Sequence, residues 1–232
     1  MNRPLTQATR EHWDGLAAGY DDLKQRNDAY YSALKGCMGR AVPPDARGNV
    51  LDVGCGTGQV LASLNPRRGV GIDLSERMID EARRRLASRT ELAFLAIDAK
   101  AAGELGPFDC VISADTMEHV EDWRAVVHAI VDACRPGGLI VITTPNPWWT
   151  FPLWLLEKLN LKMPEGPHKF VSIRSIAKEL SARKCSVKTV GTHLLVPTRL
   201  GGLGQTISHG AENLPVFRSL GVIQLVTAIK GS

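Results

Sequence analysis

The sequence predicts an α/β protein built on a doubly wound, mostly parallel β-sheet. Three observations support this fold class: short apolar segments recur along the chain, helical segments separate them, and a glycine-rich turn follows the first of them. Continuous runs of valine, isoleucine and leucine are typical of strands buried on both faces of a parallel sheet. Alternation of such strands with helices favours the doubly wound arrangement. The 232 residues suit one large domain of this kind or two small ones.

The predicted elements begin with a helical region and continue with five buried strands. Residues 1–45 are expected to form helices that lie over the domain, and residues 43–48 form a hinge before the first strand. The five strands are predicted over residues 49–54, 69–73, 92–98, 108–115 and 139–146.

Helices and two further strands complete the predicted order. A helix over residues 75–89 is expected to begin at Ser75 as its N-cap, with an apolar stripe on one face. A second helix over residues 122–134 is expected to end at an Arg-Pro-Gly-Gly stop. A third helix and the last two strands are predicted over residues 172–184, 185–197 and 221–231.

Composition and charge limit the classes of function. The chain is 44% hydrophobic and 22% charged, as in soluble globular proteins, and its net charge is only +4. Much of the positive excess lies in residues 76–89, which we interpret as a solvated helix face rather than a nucleic-acid site. Five cysteines without a Cys-x-x-Cys pair indicate neither a disulfide framework nor a zinc site. No signal-peptide core or membrane-spanning run is present, so we expect a cytoplasmic protein.

The glycine-rich stretch VLDVGCGTGQV, residues 50–60, is the strongest local pattern. Gly54, Gly56 and Gly58 leave the backbone bare, so that a ligand can approach it where a strand runs into a helix N-terminus. The dinucleotide fingerprint would need glycine where Gln59 stands, and no Lys-Ser/Thr pair follows as in a phosphate-binding loop. The pattern is instead Asp-x-Gly-x-Gly-x-Gly, with Asp52 as its acid.

With its neighbours, this pattern resembles the class I S-adenosylmethionine-dependent methyltransferases. The segments LDVGCGTG, GIDLS, AIDA, FDCVISADTMEHVED and CRPGGLIVITTPN match the motifs of that family in order, over about residues 48–146. The resemblance implies a Rossmann-like methyltransferase fold in a single domain over residues 1–232. Its sheet would have seven strands, the final one antiparallel. An α/β domain for a different nucleotide is the alternative.

The resemblance also implies the residues that bind S-adenosylmethionine and its product S-adenosylhomocysteine. The three glycines would admit the methionine and ribose, and Asp52 would face the ammonium group. Asp73 would accept both ribose hydroxyls, and Asp98 the adenine amino group. The resemblance further implies that Leu74, Ala99 and Ala114 bind the cofactor. It also implies an N-terminal lid whose two aromatic residues, Trp13 and Tyr20, lie over the methionine arm. These two aromatic residues lie in residues 12–23, within the helical lid expected over residues 1–45, and an ordinary packing helix is the alternative for residues 12–23.

The end of the fourth strand provides the candidate catalytic group. Asp115, Glu118 and His119 would converge near the sulfonium, and His119 suits a general base by type and position. A purely structural histidine is the alternative. The ubiquinone-biosynthesis O-methyltransferases carry Glu-x-x-Glu-His here, which implies a divalent-metal site in them. The present chain has aspartate at the first position, so Mg²⁺ completed by water is a weaker alternative for this site.

An apolar insertion over residues 146–170 follows the fifth strand and is expected near the acceptor site. It contains Trp148, Trp149 and Trp154, leucines at helical spacing, flanking lysines and a closing His168. This composition suits a lid over a lipophilic acceptor or a helix in peripheral contact with a membrane. A helix packed on the core is the alternative.

These patterns predict an S-adenosylmethionine-dependent methyltransferase that acts on a small or lipophilic acceptor, with oxygen as the methylated atom. N-methylation, C-methylation and a non-catalytic cofactor-binding protein are the alternatives. We expect no nucleic-acid partner. The sequence determines neither the acceptor nor the oligomeric state.

Overall fold

The computed structural model describes residues 5–25, 28–149, 169, 171–193 and 221–232. They contain one seven-stranded sheet with the spatial order β3-β2-β1-β4-β5-β7-β6. The strands are β1 (Asn49–Val53), β2 (Arg68–Asp73), β3 (Leu92–Ala96), β4 (Phe108–Ala114), β5 (Cys134–Pro145), β6 (Cys185–His193) and β7 (Ile223–Lys230). The first five pair in parallel, and β7 runs antiparallel between β5 and β6. The predicted fold class, with a final antiparallel strand, is confirmed.

Helices cover both faces of the sheet. They are α1 (Leu5–Leu16), α2 (Tyr20–Gln25), α3 (Asp28–Ala41), α4 (Gln59–Ser63), α5 (Glu76–Arg85), α6 (Trp123–Ala133) and α7 (Ile173–Ala182). One apolar core packs α6 and α7 against the sheet through residues such as Ile130 and Ile176. The other packs α3, α4 and α5 against the opposite face through Met38, Leu61 and Ile79. The two cores hold the sheet rigid, and the carboxyl ends of its strands are free to build a site.

Side-chain caps fix where two helices begin. The Ser75 hydroxyl accepts a hydrogen bond from the Met78 amide at 3.1 Å, as predicted for the start of α5. Asp122 caps α6 by accepting from the amides of Arg124 and Ala125, both at 3.1 Å. Because β2 and β4 both run parallel to β1, the loops that carry these caps lie at the same edge of the sheet.

Some predicted boundaries differ from the structure, and one lies partly outside the described residues. The Arg-Pro-Gly-Gly segment does end α6, but it forms the irregular start of β5, where the pairing with β4 shifts register. Strand β3 ends at Ala96, so Asp98 lies two residues beyond it as the cap of a 3₁₀ turn. Of the strand predicted over residues 185–197, the part after His193 lies outside the described residues.

The N-terminal helices are tied to three of the loops at the carboxyl ends of the strands. The Ser75 hydroxyl donates to Asp14 of α1 at 2.5 Å, and the Thr57 hydroxyl donates to Asp21 of α2 at 2.8 Å. The Tyr30 hydroxyl of α3 donates to Asp115 after β4 at 2.6 Å. These bonds hold α1–α3 over the edge where a ligand would enter. Their role as a lid stays a prediction.

Candidate active site

A cavity lies between the carboxyl ends of β1, β2 and β4 and the N-terminal helices. The residues that the sequence predicted for the site and that line this cavity are Trp13, Tyr20, Asp52, Gly54, Gly56, Asp73, Leu74, Asp98, Ala99, Ala114, Asp115, Glu118 and His119. Gly58 is absent from its lining. The structure thus brings together residues from six separate segments of the chain, as the carboxyl ends of parallel strands require.

The three glycines of the turn are required for different reasons. A Cβ atom on Gly56, whose φ is +52°, would meet only the Tyr20 ring, at 3.7 Å, so the open side of Gly56 faces the cavity. A Cβ atom on Gly54 would lie 2.2 Å from the Thr116 hydroxyl oxygen, and one on Gly58 would lie 2.6 Å from the Phe94 ring. Close packing therefore requires Gly54 and Gly58, whereas Gly56 leaves room for a ligand.

Asp73, the last residue of β2, holds the glycine turn in place. One carboxylate oxygen accepts from the Gly56 amide and the other from the Ser75 amide, both at 2.9 Å. Burial raises the pKa of Asp73 above its usual range, and these two amides partly oppose the rise. Each oxygen keeps a further lone pair, so the carboxylate can also accept hydroxyl groups of a ligand in the cavity.

Asp52 is a buried carboxylate whose charge is poorly compensated. It is only 1% exposed, and neither oxygen has a hydrogen-bond partner of good geometry among the described residues. Burial and the charge of Asp73 raise the pKa of Asp52 to about 7, although Lys24 and the nearby Leu61 amide oppose the rise. Such a group is costly in an empty cavity and suits a cationic ligand group that donates hydrogen bonds.

Asp98 lines the cavity from the loop after β3. It caps the 3₁₀ turn Ala99–Glu104 by accepting from the Lys100 amide at 2.9 Å. Its carboxylate remains partly exposed, with 40% of the side chain accessible, so it can also reach a ligand. The predicted contact of Asp98 with an adenine amino group stays a prediction.

An aromatic cluster joins the N-terminal helices to His119. The Trp13 ring lies edge-on to the His119 ring at 5.2 Å and to the Tyr20 ring at 5.7 Å, between ring centroids. The Thr9 hydroxyl donates to the His119 carbonyl oxygen at 3.2 Å, which fixes the backbone of the same residue. His119 is thus held in the cavity wall beside two residues that the sequence predicted for the lid. Its role as a base stays a prediction.

The carboxylates of Asp115 and Glu118 accept hydrogen bonds from side chains of the protein. Asp115, with a left-handed φ of +51°, accepts from Tyr30 at 2.6 Å and from the Thr143 hydroxyl at 2.9 Å. Glu118 is buried and accepts from the Thr144 hydroxyl at 3.2 Å. In the described part of the chain, no three His, Cys, Asp or Glu side chains form a group that could hold a metal ion.

The cavity residues that the sequence analysis missed include Lys24, Tyr30 and Tyr31. The Lys24 ammonium lies 4.3 Å from the centre of the Tyr20 ring and 4.7 Å from that of the Tyr31 ring. The four-residue spacing between Tyr20 and Lys24 places both on one helix face, which was a usable signal. No comparable signal pointed to Tyr30 or Tyr31.

Only the two ends of the apolar insertion are described. Trp148 is 80% exposed, and the Trp149 amide donates to the Asn146 carbonyl at 2.9 Å. Trp154, the leucines, the flanking lysines and His168 lie outside the described residues. None of the helices that the structure describes has the length and apolar character needed to cross a bilayer.

The fold and the cavity define the class of protein. Comparison with known proteins agrees: residues 25–189 match a family model described as a methyltransferase domain. The chain belongs to this family, and its class is that of the S-adenosylmethionine-dependent methyltransferases. The predicted resemblance and the predicted cofactor are therefore confirmed at the level of the class.

Individual relatives give the same assignment. The chain is 34% identical to a ubiquinone biosynthesis O-methyltransferase of Neisseria meningitidis serogroup C, over 58% of this chain and 62% of that protein. It is 30% identical to the protein of that name from Aromatoleum aromaticum, over 70% of this chain and 72% of the relative. The chain thus spans about six tenths of the length of the first curated relatives it matches.

A solved structure supports the fold. The magnesium protoporphyrin IX methyltransferase of Synechocystis PCC 6803, solved with bound S-adenosylhomocysteine, superposes with a TM-score of 0.69 at 17% identity. The match covers 98% of this chain and 100% of that one. At this identity the likeness concerns the fold, and the chemistry must be argued from the cavity itself.

Proposed function

We propose that this protein transfers the methyl group of S-adenosylmethionine to a hydroxyl oxygen of a small or lipophilic acceptor. The observation that carries the proposal is the meeting, in one cavity, of an open glycine turn, the Asp73 and Asp52 carboxylates and His119. The buried and poorly compensated Asp52 and the open space beside Gly56 fit the cofactor. When bound, the cofactor supplies an electrophilic methyl group on its sulfonium.

The residues of the cavity have distinct proposed roles. Asp73 accepts the ribose hydroxyls while it holds the Gly56 and Ser75 amides, so the turn is already in place before the cofactor binds. Leu74, Ala99 and Ala114 provide apolar contacts, and Asp98 accepts from the adenine amino group.

His119 is the proposed general base. It lies against Trp13, and in its neutral form it can remove the proton of the acceptor hydroxyl as the methyl group is transferred. Oxygen is favoured as the methylated atom because the relatives described above are named O-methyltransferases. An amine or a carbon nucleophile is the alternative, as is a protein that binds the cofactor without turnover.

A lipophilic acceptor is favoured by the apolar insertion. Trp148 projects into solvent at one end of it, where exposed apolar area costs about 25 cal/mol per Å². A lid that closes over an apolar acceptor, or a peripheral membrane contact, would cover that surface. We propose the lid first and membrane contact second.

Transfer of a labelled methyl group tests the function and the role of His119 together. The wild type is incubated with labelled S-adenosylmethionine and a panel of lipophilic phenols and matched amines, and the labelled product is identified. We expect label in the phenol ethers. His119→Ala should slow transfer by about 10²- to 10⁴-fold with cofactor affinity nearly unchanged.

The matched control is His128→Ala. This histidine pairs with Glu179 on the surface between α6 and α7 at 2.7 Å, so its removal should leave transfer intact. Addition of EDTA separates a base from a metal site: activity that is lost with EDTA and restored by Mg²⁺ would support the metal alternative. Labelled amines without labelled ethers, or no labelled product at all, would contradict O-methylation.

A further inference from the structure

Helix α1 contacts His119 at two places, its backbone and its ring. The buried Thr9 hydroxyl donates to the His119 carbonyl oxygen at 3.2 Å. The Trp13 ring lies 5.2 Å from the His119 ring between centroids, and the two ring planes make an angle of 84°. Thr9 and Trp13 are four positions apart within Leu5–Leu16, so they share one face of the helix. One face of α1 therefore contacts both the main chain and the imidazole of the candidate base.

The backbone of His119 lies in a short turn after β4. His119 ends the 3₁₀ turn Met117–His119, and its amide donates to the Thr116 carbonyl oxygen at 3.0 Å. Backbone bonds of this kind do not set the two side-chain torsions of an imidazole, which depend on what the ring packs against. Aromatic rings at centroid distances of about 4.5–7 Å favour offset or perpendicular packing. The Trp13 ring thus restricts the direction in which the imidazole nitrogens of His119 point.

Trp13 is itself fixed by its neighbours. Its ring lies edge-on to the Tyr20 ring at 5.7 Å and to the His12 ring at 4.9 Å, between centroids. The next residue, Asp14, accepts from the Ser75 hydroxyl at 2.5 Å, which attaches α1 to the loop after β2. A ring held in this way can orient the imidazole that packs against it.

We propose that Trp13 is a positioning residue for the reaction, and that it directs the His119 imidazole toward the acceptor. The inference rests on the proposed function, because it takes His119 as the general base. It gives Trp13 a task beyond the predicted contact with the methionine arm of the cofactor. A base must lie within hydrogen-bond reach of the proton that it removes, and a misplacement of about 1 Å can lower the rate about 10²-fold. Loss of the Trp13 ring should therefore lower kcat rather than weaken binding.

A double-mutant cycle in the methyl-transfer assay tests the proposal. Trp13→Leu should lower kcat by about 10- to 100-fold, while the S-adenosylhomocysteine affinity and the acceptor KM change by less than about 3-fold. Trp13→Phe, which keeps an aromatic ring, should retain most of kcat. In the His119→Ala background, Trp13→Leu should lower kcat by less than about 2-fold further, because the base that it positions is gone. Gln7→Ala, at an exposed position of α1, is the matched control.

Two further measurements do not depend on a well-folded Trp13→Leu enzyme or on turnover. Thr9→Val removes only the hydroxyl that binds the His119 carbonyl oxygen, and it should lower kcat by about 2- to 10-fold with cofactor affinity unchanged. In nuclear magnetic resonance spectra of histidine-labelled protein, Trp13→Phe and Trp13→Leu should both move the His119 ring signals, which His119→Ala identifies. The signals of His128, which pairs with Glu179 on the surface, should stay in place.

Several outcomes would overturn the proposal. They are a wild-type kcat in Trp13→Leu or Thr9→Val, an equal fall in kcat with and without His119, weaker S-adenosylhomocysteine binding with kcat at saturation unchanged, and His119 ring signals that do not move. No transfer by the wild type, or a wild-type rate in His119→Ala, would instead contradict the proposed function, and the inference with it.

Discussion

At the scale of single residues, Gly56 sets how closely a ligand can approach the turn. A side chain there would project toward the Tyr20 ring and into the cavity, and the φ of +52° disfavours β-branched residues. We predict that Gly56→Val lowers affinity for S-adenosylhomocysteine by about 100-fold or more, measured by calorimetry. Gly39→Ala, at a helical glycine with open space around it, is the control. A folded Gly56→Val protein with wild-type affinity would contradict the assignment of this turn to the cofactor site.

Asp52 has a raised pKa, and its proposed role in ligand binding would oppose the stability of the folded protein. Its pKa in the folded protein, about 7, is above that of an unfolded aspartate, so the folded state binds the proton more tightly. Stability from this group is complete below about pH 4 and is lost as the pH rises through 7. We predict that Asp52→Asn raises the free energy of unfolding at pH 8.5 by on the order of 1–4 kcal/mol, with little change at pH 4.

Denaturant unfolding at the two pH values checks this prediction. Asp80→Asn, at an exposed position on α5, is the control and should change stability little at either pH. The Asp52 variant should also bind S-adenosylhomocysteine more weakly, because an amide cannot match a carboxylate beside an ammonium group. Equal stability of wild type and variant at pH 8.5 would show that the buried charge is compensated.

At the scale of elements, the N-terminal helices are the proposed lid of the cavity. Their bonds to the loops after β1, β2 and β4 are few and partly exposed, as in segments that open locally. We predict that S-adenosylhomocysteine slows amide hydrogen exchange across Leu5–Leu16 and Tyr20–Gln25 by about 10-fold or more. Exchange in α7, which packs on the face of the sheet opposite to α3, α4 and α5, serves as the internal control. Unchanged exchange in both N-terminal helices would argue for an ordinary packing role.

The apolar insertion can be probed at its described end. Trp148 is 80% exposed, so Trp148→Ser should change the melting temperature by no more than about 2 °C. Turnover of lipophilic acceptors, or co-sedimentation with liposomes, should fall if the insertion is a lid or a membrane contact. Trp123→Ser is the matched control, because Trp123 packs against the core and should cost stability instead. A large fall in melting temperature for Trp148→Ser, with acceptor turnover and liposome binding unchanged, would contradict this interpretation.

At the scale of the whole molecule, the sequence predicted what local patterns control. The apolar run of each buried strand can be recognised in the sequence. Because a parallel sheet brings the carboxyl ends of its strands to one edge, Asp52 and Asp73 could be predicted to lie together. The unusual start of β5 was missed because proline and glycine usually mark a turn, and here the strand pairing overrides them.

Contacts between distant elements could not be read from the sequence. Gly58 was assigned to the ligand, but the side chain that demands a glycine there is Phe94 of β3, which only the folded sheet brings near. Lys24 and Tyr31 face the cavity because α2 and α3 dock across the strand ends. That docking depends on side-chain fit rather than on any periodic pattern, so sequence reasoning gave these helices a general place and few specific residues.

The central claim is that this cavity binds the cofactor through the turn that Asp73 holds together. Calorimetric titration of S-adenosylhomocysteine into the wild type, Asp73→Ala and the exposed control Asp80→Ala tests it most directly. We predict saturable binding by the wild type and Asp80→Ala, and about 10- to 100-fold weaker binding by a folded Asp73→Ala protein, since a charge-assisted contact contributes about 1.5–3 kcal/mol. No binding by the wild type, or equal affinity in Asp73→Ala, would contradict the claim.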